Sequence, residues 1–111
     1  MSDACTVYVT AASREEALKI ARTVVEERLA ACANVIDGVT SIYHWQGEVE
    51  EEREVALLLK TRLSLFDALE ARIRTLHSYA CPCIVAWPIV AGSPDYLAWI
   101  AAETHAPGAM T

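Results

Sequence analysis

One short stretch, HSYACPCIVAWPI at residues 77–89, holds three side chains that could bind a metal ion together. His77 stands before Cys81 and Cys83, and the two cysteines flank a proline. Thiolates and imidazoles are ligands that Cu(I) and Zn(II) prefer, whereas harder cations prefer carboxylates. The spacing therefore predicts a soft-metal site, with His77 and Cys83 as the leading ligands and Cys81 and Cys32 behind them.

Each of these residues also has an ordinary structural interpretation. His77 ends a predicted helix, where its ring could hydrogen-bond a free backbone carbonyl. Cys81 and Cys83 alternate along a predicted strand and would face the same side of it. Free cysteine is among the most buried residue types, so we expect Cys81 in the core and Cys32 in a buried packing position. Cys5 is interpreted as a near-terminal thiol.

The composition limits the classes of partner. The chain has 111 residues, a formal charge of −6 and a hydrophobic fraction of 54%. The negative charge would repel nucleic acid, so no nucleic-acid partner is expected. No stretch reaches the roughly 18 apolar residues of a membrane helix, so no membrane partner is expected. The first residues, MSDACTVYVT, lack the basic and apolar parts of a secretory signal, which predicts a reducing cytoplasm and free thiols.

The predicted elements follow the order β-α-β-β-α-β with a C-terminal helix, in one domain over residues 1–111. Residues 5–12 form the first strand, and Ser13 with Glu16 makes a capping box that begins a helix running to about residue 31. The fourth strand is predicted over CIVAWPIVA, which begins at Cys83, after a link from His77 to Cys81. Residues 1–4 and 104–111 are expected to fray. The order predicts an α+β, ferredoxin-like fold with both main helices on one face of the sheet.

Two long strands in the middle of the chain form a hairpin. Gln46-Gly47 is predicted at its tip and a bulge at Asp37-Gly38. Acidic residues alternate along the second of these strands before an apolar run, which predicts a solvated arm that projects from the core: Glu48, Glu50, Glu52 and Glu54. The sheet face without helices would be bare in a monomer, so a subunit interface is expected to cover it.

Four segments resemble the CutA divalent-cation tolerance family: ERLAACANVIDGVTSIYHWQGEVE, EVALLLKTR, LHSYACPCIVAWPI and DYLAWI. The resemblance extends from Val7 to Ile100. It implies a ferredoxin-like homotrimer, similar in build to PII signalling proteins, in which the two long strands join neighbouring subunits. It also implies binding of copper or other divalent cations and a part in cytoplasmic metal tolerance and homeostasis. Copper and zinc are the candidate ions, and neither is expected to be obligatory.

The stretch around His77 departs from the family pattern. Members with assigned copper ligands use a cysteine at the end of the first strand and a pair of histidines at this helix end. The matching positions in this sequence are Val9, Leu76 and His77. Of the three ligands that the resemblance implies, only the histidine at His77 is present. The family's last glutamate in this run is Cys83 here. A bound ion is therefore expected to be softer than the family pattern implies.

The chain contains no familiar catalytic motif, and we predict that it is not an enzyme. A Cys83–His77 nucleophile pair would make a thiol enzyme, but no orienting group for it can be named. The alternative function, from another class, is a trimeric PII-like scaffold or signalling module. Its subunit cleft would bind a protein or a small anion, the latter through Lys60, Arg62 or Arg28.

Overall fold

The computed structural model describes residues 2–108, and this part of the chain contains a four-stranded antiparallel sheet and three α-helices. The elements are β1 (Ala4–Ala11), α1 (Arg14–Glu26), β2 (Cys32–Trp45), β3 (Glu48–Arg62), α2 (Phe66–Leu76), β4 (Ile84–Pro88) and α3 (Pro94–Ala102). The strand order across the sheet is β2-β3-β1-β4. The predicted α+β, ferredoxin-like architecture with a C-terminal helix is confirmed. No helix among the described residues is long and apolar enough to span a membrane.

The main core lies between one face of the sheet and the helices α1 and α2. Alternate residues of β1 and β3 point towards the helices, as the period of two in a strand requires. Cys5, interpreted from the sequence as a near-terminal thiol, belongs to this buried set. Burial, and then the charge of Asp3, raise the pKa of its thiol. The largest fully buried side chains of this core are Val7, Val9, Ile20, Val24, Leu57, Leu59, Leu69 and Ile73.

Helix α1 ends earlier than the sequence predicted. Arg28 has a left-handed backbone, with φ of 64°, and its N–H donates to the carbonyl of Val25 at 3.0 Å. The N–H of Leu29 donates to the carbonyl of Val24 at 2.9 Å. These two bonds form a Schellman motif, which closes the helix. The apolar pattern continued beyond this point because Leu29 is buried outside the helix.

The hairpin of β2 and β3 extends beyond the other strands. Both residues at its tip have positive φ, Gln46 at 50° and Gly47 at 84°. Positive φ at both positions is typical of the type I′ turn, which two-residue hairpin loops favour. The predicted bulge is present at Gly38, where the register shifts. β1 pairs with β3 only between residues 55 and 62. Residues 39–54, the hairpin arm, therefore project from the four-stranded sheet, as the acidic alternation predicted.

Both ends of the described chain are held against the sheet. Ala4 is 4% exposed and pairs with Arg62, and Thr104 is 3% exposed. The Arg62 guanidinium donates to the Thr104 hydroxyl at 3.0 Å and to its carbonyl at 2.9 Å. The prediction that both ends fray was therefore wrong for Ala4 and Thr104. At residue 1 and residues 109–111 it lies outside the described residues.

The sheet face opposite the main core is only partly covered. Helix α3 packs Ile100 against Ala4 and Ala31 at one end of this face. Elsewhere large apolar side chains are exposed in this single chain, including Ile36, Val85 and Trp87. An apolar surface of this kind usually marks an interaction site.

Candidate functional site

His77 begins the segment between α2 and β4 (residues 77–83, the α2–β4 link), and both nitrogens of its ring are engaged. Nε2 lies 2.7 Å from the carbonyl oxygen of Thr10, so Nε2 carries the proton and donates. Nδ1 accepts a hydrogen bond from the N–H of Tyr79 at 3.1 Å, and the two rings pack with centroids 4.7 Å apart. His77 is thus held as one neutral tautomer. A metal ion could bind the ring only after one of these bonds was broken.

Glu16 ties the α2–β4 link to the start of α1. Ser13 caps the helix as predicted, because its Oγ accepts the N–H of Glu16 at 3.1 Å. The Glu16 carboxylate accepts the N–H of Ala12 at 3.1 Å and the N–H of Ser78 at 2.7 Å. Burial raises the pKa of this carboxyl, but the bonds from Ser78 and Ala12 outweigh burial, so the pKa is lowered. These contacts fix the beginning of the link and hence the direction of the rest.

Cys81 and Cys83 open into one cleft on the sheet face that α1 and α2 leave free. Both residues are exposed, and Pro82 between them is buried. β4 begins only at Ile84, so the prediction that the cysteines lie in this strand was wrong, although both face the same cleft. The prediction that Cys81 is a core residue was also wrong. Partial burial of the thiol, and then the charge of Glu54, raise the pKa of Cys83.

Glu54 is the one formally charged residue among the described residues that line this cleft, and only 9% of its surface is exposed. Its carboxylate accepts hydrogen bonds from the Ser41 Oγ at 2.6 Å and from the Tyr79 hydroxyl at 2.8 Å. Burial, and then the bond to Glu54, raise the pKa of Tyr79, so this hydroxyl remains a donor. The sequence had placed Glu54 in a solvated alternation, and the cluster of these three residues was missed.

The rest of the cleft is largely aromatic. Its volume is about 430 Å³, and its walls come from β1, the hairpin arm and the α2–β4 link. Tyr8 also stacks on Trp87 of β4, with ring centroids 5.3 Å apart. The aromatic residues that line the cleft are Tyr8, Tyr43, Trp45 and Tyr79. A pocket of this size and apolar character can hold a small organic molecule.

Cys32 lies far from the cleft. It begins β2 opposite Lys60, and its Sγ is 3.5 Å from the Tyr96 hydroxyl, a contact that raises the pKa of Tyr96. Cys32 is half-buried rather than fully buried. The strand order and register place it near the other end of the sheet and three strand positions from β4, roughly 20 Å from Cys83. Within one chain Cys32 therefore cannot share an ion with Cys83.

The thiols of the cleft do not form a complete metal site within one chain. Among residues 2–108, no group of three or more His, Cys, Asp or Glu side chains is arranged to hold a metal ion. Two thiols suit soft ions such as Cu(I). Structural Zn(II) takes four ligands, so zinc would need further donors from a second chain or from solvent. The donor set thus fits soft ions better than hard ones.

The basic residues considered for an anion site are engaged elsewhere. The Lys60 ammonium donates to the Asn34 side chain at 2.9 Å, and Arg28 pairs with Glu103 at 2.8 Å. Arg62 holds the C-terminal segment, as described above. None of the three lines the aromatic cleft, whose formal charge is negative. This arrangement disfavours the cleft as an anion site.

The chain matches one protein family over most of its length. The sequence profile described as "CutA1 divalent ion tolerance protein" matches residues 5–103. The divalent-cation tolerance protein CutA of Thermus thermophilus is 50% identical over 98 residues, which cover 88% of this chain and 95% of that protein. Protein CutA, chloroplastic, of Arabidopsis thaliana is 42% identical over 99 residues, which cover 89% of this chain. This chain spans only 54% of the length of the Arabidopsis protein.

Solved structures agree with the sequence matches. The divalent cation tolerance protein Cut A1 of Thermus thermophilus superposes with a TM-score of 0.90 at 48% identity, covering 92% of this chain and 99% of that one. CutA of Xylella fastidiosa also gives a TM-score of 0.90, at 38% identity, covering 94% of this chain and 100% of that one. The predicted resemblance is confirmed: the chain belongs to the CutA1 divalent ion tolerance protein family.

Proposed function

We propose that this protein contributes to metal tolerance and homeostasis by binding soft metal ions, with copper as the first candidate and zinc as the second. The observation that carries the proposal is that Cys81 and Cys83 open into one cleft beside the carboxylate of Glu54. The Thermus relative is named for tolerance of divalent cations. Thiol ligands extend such a role towards softer ions, because thiolates select Cu(I) and Zn(II) over Mg²⁺ or Ca²⁺.

Cys81 and Cys83 are the proposed ligands, and each must lose its proton to bind a metal ion. The pKa of Cys83 is raised, so the apparent affinity should increase with pH, by about tenfold per unit for each proton released. His77 becomes a third ligand only if its Nδ1 releases the N–H of Tyr79. Cys32 is the most remote of the four candidates and serves as an internal control.

A homotrimer is the proposed assembly. The exposed apolar face of the sheet and the projecting hairpin arm both offer surface that a second copy of the chain would bury. Sedimentation equilibrium at micromolar concentration should then give about three times the chain mass of 12.1 kDa. A folded monomer under these conditions would contradict this assembly.

The cytoplasm and the absence of catalysis also remain proposals. Four unpaired thiols suit a reducing compartment, although the Arabidopsis relative is named chloroplastic and one Archaeoglobus structure is described as periplasmic. A raised pKa keeps the Cys83 thiol protonated, and both ring nitrogens of His77 are engaged. This pair is therefore poorly arranged for nucleophilic catalysis.

Metal titration of the reduced protein tests the proposed site. Under anaerobic conditions, Cu(I) affinity is measured by competition with a chromophoric chelator, and Cu(II) and Zn(II) are titrated in parallel. Cys81→Ser and Cys83→Ser should each weaken Cu(I) binding by about tenfold or more, whereas Cys32→Ser should leave it unchanged. The variant His77→Gln tests whether His77 is a direct ligand. A clear loss of Cu(I) affinity would indicate a direct ligand, whereas a small change would indicate that His77 only positions Tyr79.

Two results would contradict the proposal at different levels. Unchanged stoichiometry and affinity in the Cys81→Ser and Cys83→Ser variants would show that the site is elsewhere. No binding of any soft or borderline ion above background would show that the protein does not act by holding metal. Circular dichroism of each variant checks that the fold is intact.

A further inference from the structure

The carboxylate of Glu16 fastens the beginning of the α2–β4 link to helix α1. One of its oxygens accepts the N–H of Ala12 at 3.1 Å, and the other accepts the N–H of Ser78 at 2.7 Å. Hydrogen bonds to an ionised carboxylate are shorter and stronger than those between neutral groups. Helix α1 packs on the sheet face opposite the cleft, so this contact lies within one chain and does not depend on what covers the other face.

Both thiols of the proposed metal site lie in the part of the link that follows this contact. Ser78 is held at one end, and the pairing of β4 with β1 begins at the other end, where Ile84 lies opposite Val9. Cys81 and Cys83 stand between these two fixed points. A short segment with both ends fixed has few conformations, so a bond that fixes one end also restricts where the thiols can lie. The orientation of the link after Ser78, and with it the placement of both sulfurs, therefore depends on this contact.

We propose that Glu16 is a positioning residue for the metal site of Cys81 and Cys83, an inference that rests on the proposed function. Glu16 does not touch the ion; it acts through the N–H of Ser78 on the segment that carries both ligands. Groups that orient metal ligands without binding the metal typically contribute about 10–100-fold to affinity. Because Glu16 holds the backbone near the ligands and not a ligand itself, we expect a loss at or below the lower end of this range. The coupling is reciprocal, so a bound ion should also protect the Ser78 amide from hydrogen exchange.

The contact can be removed from either side, with a matched control for each change. In Glu16→Gln the side chain keeps one acceptor oxygen where two N–H groups converge, and Glu15→Gln, at the exposed neighbouring position, is its control. Ser78→Pro deletes the N–H itself, whereas Ser78→Ala keeps it. Proline fits at this position because His77 before it has φ of −87° and ψ of 142°, in the extended region that residues before proline adopt. Glu16→Gln and Ser78→Pro should each weaken Cu(I) binding by about three- to tenfold in the chelator competition, and the controls by less than about twofold.

The double variant Glu16→Gln, Ser78→Pro tests whether the two residues act through one bond. Its Cu(I) affinity should equal that of the weaker single variant, because the same contact can be lost only once. Amide hydrogen exchange of residues 79–81 in the metal-free protein is a measurement that needs no ion, and it should be about threefold faster or more in both single variants. Unchanged exchange, or unchanged Cu(I) affinity in both single variants while Cys83→Ser loses it, would overturn this inference alone. Unchanged affinity in Cys81→Ser and Cys83→Ser, or no Cu(I) binding by the natural chain, would overturn the proposed function and this inference with it.

Discussion

The hydrogen bond between Tyr79 and Glu54 can be tested by removing a single oxygen atom, with the change Tyr79→Phe. The bond is 2.8 Å long, and its acceptor is a carboxylate that is 9% exposed. Hydrogen bonds to charged groups contribute about 1.5–3 kcal/mol to stability. Water can enter the open cleft and replace part of the lost bond. We therefore expect the free energy of unfolding to fall by about 1–2 kcal/mol.

Urea denaturation at fixed protein concentration measures this loss, because the stability of an oligomer depends on concentration. The midpoint should fall while the m-value stays constant, since the surface exposed on unfolding is unchanged. Tyr43→Phe is the matched control: Tyr43 lines the same cleft, and its hydroxyl has no hydrogen-bond partner among the described residues. The reasoning would be refuted if Tyr79→Phe kept the stability of the natural chain, or if Tyr43→Phe lost as much.

Three further predictions concern the two ends of α1 and the cleft. Arg28→Gly should be about 1 kcal/mol more stable than Arg28→Ala in urea denaturation, because both lose the same side chain and only glycine accepts a positive φ without strain; equal stability would contradict the Schellman geometry. Glu16→Gln should lower the free energy of unfolding by about 1 kcal/mol near pH 7, with Glu15→Gln as control. This difference should shrink as the pH falls through the lowered pKa of Glu16, because the charged form is what its hydrogen bonds stabilise in the folded state. Glu54→Gln should speed the alkylation of Cys83 by iodoacetamide at pH 8, since removing the charge lowers the pKa of that thiol, and an unchanged rate would mean that burial alone raises it.

Local patterns in the sequence were sufficient for the architecture. The period of two in the strands, the Gln46-Gly47 tip and the Ser13 cap each depend on neighbours along the chain, and each was confirmed. The end of α1 was wrong because Leu29 is buried beyond the helix and so extended the apolar period. What ends the helix is the backbone of Arg28, a residue type that seldom adopts positive φ.

The contents of the cleft could not be predicted in the same way, because they depend on contacts between distant segments. Glu54 was assigned to a solvated alternation, yet Tyr79 reaches it from the α2–β4 link and closes one side. The one feature of the sequence that could have indicated the burial of Glu54 was its position directly before the apolar run of residues 55–59. The burial of Cys81 was predicted wrongly for a related reason, because Cys81 precedes β4 and lines the cleft instead of the core.

The charge of Glu54 also bears on which soft ion the thiols can hold. Two thiolates and one Cu(I) ion carry a net charge of −1, so this complex would add negative charge beside the carboxylate. Two thiolates and one Zn(II) ion are neutral and would not. Like charges repel more strongly where they are shielded from bulk water. We therefore expect the carboxylate of Glu54 to disfavour the Cu(I) complex more than the Zn(II) complex. Glu54→Gln should therefore strengthen Cu(I) binding relative to Zn(II) binding in parallel titrations, whereas Glu51→Gln should not. An unchanged ratio would show that the carboxylate does not sense the charge at Cys81 and Cys83, and the thiols would then bind metal independently of the rest of the cleft.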